Sequence, residues 1–256
     1  MVKSTRSAGA SCRRPSAGGG GRRRCLAVLA LVLVAGCATR LGKDGRTETD
    51  VHARYLAKSE ADRLADTVRR EVDEGLLRIA DKLYKRNPRE WRKAGAASRE
   101  AALERLRMHG TSNPTELLGA REGKAAALAF SESYGGDRVA ALVFGLLTMV
   151  DAAFEHKADF YILDSLNEMK LYNCARNMEV AIWKLANDRN GAGELYLLSN
   201  EGDPVRRNLS FEREFGREIG LLDLMASVVA DRNGRALSRF SQSVATMIFL
   251  PVGGLP

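Results

Sequence analysis

Cysteine is scarce in this chain of 256 residues: four are present, at Cys12, Cys25, Cys37 and Cys174. That excludes a dense disulfide framework as the source of stability, and no Cys-x-x-Cys pair is available for a zinc site. Histidine is scarcer still. His52, His109 and His156 lie far apart, and none has a second histidine at metal-ligand spacing. The patterns HExxH, CxxC, GxGxxG, the P-loop, the GxSxG elbow and SxxK are all missing. Their absence removes the common signatures of metalloproteases, dinucleotide enzymes, NTPases and serine hydrolases. No catalytic residue, no metal ligand and no cofactor is therefore expected. Long apolar runs are lacking too. The two longest, Leu26 to Gly36 with eleven residues and 139–150 with twelve, fall short of the roughly 20 that a membrane-spanning helix needs.

The first of those runs is informative for its flanks. Arg22-Arg23-Arg24 precedes it, and it ends in Val34-Ala35-Gly36-Cys37. An aliphatic residue, two small residues and a cysteine have the form of a lipobox, in which the small side chains let a peptidase approach the backbone before Cys37. The sequence predicts a lipoprotein signal peptide over 1–36, cleavage after Gly36, and lipid attachment at Cys37. Two or three acyl chains, palmitate among them, give a stable anchor where one gives marginal binding. Residue 38 is Ala, not the Asp that retains such lipoproteins in the inner membrane. The expected location is the inner leaflet of the outer membrane, facing the periplasm.

Processing changes the charge balance. The whole chain carries a formal +8, but residues 1–36 hold seven basic residues and no acid, which leaves 33 basic against 32 acidic over 37–256. A nearly neutral remainder has no field for nucleic acid, and no nucleic-acid partner is expected. Cys174 is the one thiol left beside Cys37. It lies in a helical pattern, where a buried, small apolar role is expected of it.

The remainder reads as helix. Residues 38–50 (ATRLGKDGRTETD) are polar and read as a flexible tether. From His52 to Arg86, Leu64, Val68, Val72, Leu76, Ile79 and Leu83 recur at spacings of four and three, one face of a long helix that Asn87-Pro88 stops. Ser98 is placed to cap a helix running through Leu103 and Leu106 to His109-Gly110. A small-residue helix is expected near Glu122–Ser131, and Asp137 is placed to cap an apolar helix over 139–150. Having no polar face, that helix belongs at the centre of a bundle. Leu171, Ala175, Met178, Ile182 and Leu185 mark the core seam of a helix over Asn167–Arg189. Asn190-Gly191 then turns toward Glu194–Leu198, read as one arm of a short β-hairpin. Ser210 is read as the cap of a long helix carrying Phe211, Phe215, Ile219, Leu222, Met225 and Val229, with Glu212 and Glu214 complementing its dipole. It is expected to break at Asn233-Gly234 and resume through Phe240, Val244 and Ile248. The fold class expected is mainly α: a single helical-bundle-like domain over 51–256.

One constellation offers chemistry. Tyr172, Arg176, Glu179 and Trp183 fall at spacings of four, three and four, one stripe of a helix, with Asn173 and Asn177 beside it. Aromatic faces, amides and a forked guanidinium suit a sugar, a peptide or a carboxylate ligand. The same residues also suit a polar network between helices, and that reading is favoured over a binding face. His156 has Asp159 three residues on, which suits a local charge pair or helix-end contact better than metal binding or catalysis.

Four segments carry a resemblance: Leu83-Tyr84-x-x-Asn87-Pro88-x-x-Trp91, Lys170-Leu171-Tyr172-Asn173-x-Ala175-Arg176-Asn177, Trp183-Lys184-Leu185, and Asn208-Leu209-Ser210-Phe211-Glu212-Arg213-Glu214-Phe215-Gly216. They resemble segments of uncharacterised proteobacterial lipoproteins. The resemblance implies envelope location and lipid anchoring and carries over no catalytic residue. The expectation is a lipid-anchored envelope protein in a non-enzymatic binding, assembly or structural role, held to the membrane and partnered by an envelope protein or peptidoglycan. A peptidoglycan- or small-ligand-binding module and an unrecognised envelope hydrolase are the alternatives.

Overall fold

The computed structural model describes residues 38–41, 47–50, 58–108, 114–161, 164–200, 208–234 and 249–253. The chain divides into two units, Met1–Ala57 and Lys58–Pro256. The signal peptide expected over 1–36 with its cleavage after Gly36, the lipid attachment expected at Cys37, His52, His109 and the helix expected through Phe240 and Ile248 lie outside the described residues.

In the first unit, β1 (Ala38–Leu41) pairs antiparallel with β2 (Thr47–Asp50), Ala38 opposite Asp50 and Leu41 opposite Thr47. The stretch read as a tether thus contains a two-stranded pair. The signal was in the same residues. Threonines at 39, 47 and 49 favour strands.

The second unit is mainly helical and bundle-like. α1 (Glu60–Arg86) starts at a capping box: the Ser59 hydroxyl accepts from the Asp62 N–H at 3.2 Å, and the Asp62 carboxylate accepts from the Ser59 N–H at 2.8 Å. Its face of Val68, Val72, Leu76, Ile79 and Leu83 is buried. A one-turn α2 (Glu90–Lys93) and α3 (Arg99–Arg107) follow, the latter capped by Ser98 on the Ala101 N–H at 3.1 Å. Then come α4 (Glu122–Leu128), α5 (Arg138–Ala153), α6 (Glu168–Asn187) and α7 (Ser210–Arg232). The four long helices neighbour one another in the circuit α1, α5, α6, α7 and back to α1, while α4 lies along α5.

α5 is the centre. Every residue from Val139 to Ala153 is buried. Its start is held by Asp137, which accepts from the Ala140 N–H at 2.9 Å and from the Tyr84 hydroxyl of α1 at 2.8 Å. Burial pushes the Asp137 carboxyl up to about 6 against these hydrogen bonds. Cys174 on α6 is buried and its thiol pKa is raised by desolvation, the inert role expected of it. Among the described residues no helix is long and apolar enough to cross a membrane.

Two expectations are corrected. Ser210 is the first residue of α7 and not its cap, because Asn208 accepts the Ser210 N–H at 3.0 Å and Leu209 stands at the cap position without a side-chain bond. The expected hairpin at 189–198 reduces to a single bridge between Arg189 and Leu195. The Asn190 side chain accepts the N–H groups of Ala192 and Glu194, at 3.0 and 2.9 Å, so the Glu194 donor is turned into the loop.

Two close approaches set the helix spacing. A Cβ on Gly145 of α5 would lie 2.5 Å from the Ala126 nitrogen and 2.7 Å from the Glu122 carbonyl oxygen of α4. Replacing Gly145 with Ala is expected to lower stability by about 1–3 kcal/mol in urea unfolding, because overpacking against backbone outweighs the gain in helix propensity. On the other side, the Glu218 carboxyl of α7 rests over Gly75 of α1, where a Cβ would lie 1.8 Å from Oε1. Glu218 is fully buried; the Arg78 guanidinium reaches it at 3.4 Å, and its Oε2 has no hydrogen-bond partner among the described residues. Burial pushes its pKa up from the ordinary 4.5 to about 7. The folded state therefore holds this proton more tightly than the unfolded chain. Its contribution is complete below the ordinary value and is lost as pH rises through about 7. Glu218→Gln should match the wild type at about pH 4 and exceed it by on the order of 2–3 kcal/mol at about pH 8, read by thermal unfolding across that range.

Candidate functional site

α6 carries the stripe singled out in the sequence. Asn167 caps the helix, accepting from the N–H groups of Met169 and Lys170 at 2.9 and 3.3 Å. Along the helix the six residues separate into two groups with different partners, and Trp183 stands apart.

Asn173 and Asn177 hold the segment 249–253. Asn177 has no exposed surface. It accepts from the Leu250 N–H at 2.6 Å and donates to the Leu250 carbonyl at 2.9 Å, and its amide also lies 3.1 Å from the Met149 sulfur of α5. Asn173 donates to the Pro251 carbonyl at 3.2 Å. The Glu122 carboxylate at the start of α4 completes the attachment by accepting from the Gly253 N–H at 2.9 Å. An amide side chain with both atoms on one residue's backbone copies a strand–strand pair, so a short non-helical segment is fastened to a helix.

Tyr172, Arg176 and Glu179 lock α6 to α7. The Arg176 guanidinium binds Asp223 of α7 at 2.6 Å and Glu179 at 3.0 Å, and stands 4.9 Å from the centre of the Tyr172 ring. Tyr172 is buried, and burial raises the Glu179 carboxyl above its ordinary range against the pull of Arg176. Trp183 keeps about a third of its surface exposed and marks the end of the stripe.

Beside the fastened segment lies a groove of about 890 Å³. One wall is Phe249–Val252; the other is the turn from Gly119 into α4 through Lys124, with Ala127 and Lys184. The turn is tight: Leu118, Gly119 and Glu122 have φ of 49°, 81° and 51°, and Leu118 is 93% exposed. Such conformations in non-glycine residues persist where surrounding bonds impose them. Here the Glu122 N–H donates to the Thr148 hydroxyl of α5 at 2.7 Å. Arg121 lies over the Phe144 ring, 5.5 Å from its centre, and Lys184 pairs with Asp188 at 2.8 Å. Arg121 and Lys124 make no ion pair among the described residues.

A second polar cluster surrounds the end of α5. Asp151 binds the Arg69 guanidinium at 2.7 Å and the His156 Nδ1 at 2.6 Å. Burial opposes its ionisation, but the hydrogen bonds from His156 and Arg69 outweigh that and hold its carboxyl below the ordinary range. Glu155 and His156 both have positive φ, 55° and 57°, which turns the ring back over the last helical turn. The helix-end contact expected of His156 is therefore made with Asp151. Asp159, the partner suggested by sequence spacing, pairs instead with Lys58 at 2.8 Å. Among the described residues no hydroxyl or thiol bonds His156, so the Asp151–His156 pair does not activate a serine, threonine or cysteine nucleophile there. No cluster of three metal-ligating side chains occurs among them either.

The fold and its openings thus define a helical-bundle domain that, among the described residues, carries a broad groove and has its main ion clusters paired internally. No family model, no curated protein and no solved structure matches the chain.

Sequence reasoning isolated Asn173 and Asn177 but had no sign of their partner, which lies more than seventy residues away. It passed over Arg121 and Lys124 altogether. Their only signal was an Arg-Glu-Gly-Lys run between a glycine turn and a run of alanines. Asn177→Ala would strip the Leu250 N–H and carbonyl of their partners. A loss of about 1–3 kcal/mol is expected, with faster hydrogen exchange at the Leu250 amide; unchanged exchange would contradict the fastening described.

Proposed function

We propose that this is a lipid-anchored cell-envelope protein, held at Cys37 in the inner leaflet of the outer membrane with its helical domain facing the periplasm, and that it works by binding a partner in an assembly or structural role and not by catalysis. The observation that carries the reading is the order Arg22-Arg23-Arg24, a short apolar run, then Val34-Ala35-Gly36-Cys37. A run of that length suits an export signal and not a span, and the small residues before Cys37 suit processing and lipidation there.

Two features of the helical domain support binding over catalysis. Its conspicuous polar constellations, Arg176 with Asp223 and Glu179, and Asp151 with Arg69 and His156, are closed on themselves. Its broad opening is a groove that leaves two cations unpaired by acids among the described residues.

The anchor is tested by Cys37→Ser in cells fed a radiolabelled fatty acid. Wild-type protein should carry label and sediment with outer membranes; the variant should carry none and leave the membrane fraction. Label or membrane sedimentation unchanged in the variant defeats the anchor. The binding role is tested by exposing the immobilised protein to envelope extract and, separately, to purified peptidoglycan. Saturable retention of a protein supports the assembly role, retention of glycan alone replaces it with a peptidoglycan-binding one, and retention of neither counts against both.

A further inference from the structure

We propose that the groove between residues 249–252 and the turn into α4 receives an acidic, extended peptide segment of an envelope partner. The inference rests on the binding reading above and names the surface and the chemistry it selects.

Charge is the first argument. Three cations line the groove, Arg121, Lys124 and Lys184, and one acid, Glu122. The acid is engaged, since its carboxylate holds the Gly253 N–H at 2.9 Å. Lys184 is paired with Asp188. Arg121 and Lys124 are left without an acidic partner among the described residues, Lys124 exposed and Arg121 half-buried with its guanidinium over Phe144. A half-buried cation stacked on a ring is pre-oriented and partly dehydrated, so a carboxylate brought to it gains more than it would from a cation in open water.

Shape is the second argument. At about 890 Å³ the groove is at the large end for a small-ligand pocket. Its walls present short side chains and backbone, as at Gly119, Ala120, Gly123 and Pro251. An open groove with apolar residues such as Phe249 and Ala127 and cations in its lining suits a strand, whose side chains alternate between two faces. Apolar side chains face the walls and carboxylates face Arg121 and Lys124. One wall of the groove is itself a non-helical segment held through its backbone by Asn173 and Asn177.

The test uses the full-length protein in neutral detergent micelles and fluorescence anisotropy with a labelled peptide of alternating valine and glutamate. A peptide of alternating valine and lysine is the control, and vesicles containing phosphatidylglycerol are a third arm. The acidic peptide should bind saturably, at least about tenfold more tightly than the lysine peptide, and more weakly as salt is raised from about 50 to about 300 mM. The charge reversal R121E/K124E should weaken it by about tenfold or more. Because Arg121 packs on Phe144, the single variant K124E, at an exposed position, serves where the double variant lowers the melting temperature, and it should weaken binding severalfold. Equal affinity for the two peptides, absent binding of the acidic one, binding indifferent to Lys124 reversal in a folded variant, or uptake of the anionic vesicles without the peptide would each overturn the proposal. Detergent-held protein needs no membrane sorting, so failure here is distinct from failure of the anchor, which only fractionation and labelling report.

Discussion

The structure depends on a helix that has no side to show to water. α5 is buried from Val139 to Ala153, so neighbours must cover its whole circumference, and the arrangement of α1, α4 and α6 follows from that demand. Covering it also fixes what its neighbours can be. α4 approaches so closely at Gly145 that only small side chains fit, which explains the alanines at 125, 126 and 129, all buried. The ends of α5 meet polar groups: Tyr84 and Asp137 at the start, Arg69, Asp151 and His156 at the finish.

A second device recurs. Two asparagines each clasp the backbone of one distant leucine with both atoms of the amide. Asn87, at the end of α1, donates to the Leu198 carbonyl at 2.9 Å and accepts its N–H at 2.8 Å; Asn177 does the same to Leu250. Non-helical segments have backbone groups that must be bonded, and these side chains bond them without a sheet. The groove exists because the second of these clasps brings 249–253 against α6 beside the turn into α4.

Helix positions were legible because the apolar spacing of three and four residues and the caps Ser98 and Asp137 are local properties. The centrality of 139–150 was legible for the same reason: an all-apolar run has one place to go. Ser210 misled because Asn208, two residues earlier, competes for the same N–H. Residues 189–198 misled because Asn190 offers its own oxygen to a loop donor. The stripe of Tyr172, Arg176, Glu179 and Trp183 was visible as a stripe. Whether it faced a ligand or a neighbour turned on Asp223, whose meeting with Arg176 no periodicity announces.

By itself the sequence determined the helical class, the burial of Cys174 and the central helix, and the expectation of an anchor at Cys37, because periodicity, caps and a lipobox act within a few residues of chain. Tertiary structure alone decided the partners of Asn177 and Glu218 and the placing of Arg121 and Lys124 beside Phe249 and Pro251. Those relations join positions tens to more than a hundred residues apart. Packing around α5 brings them together, and the free energy of that packing is a property of the folded whole.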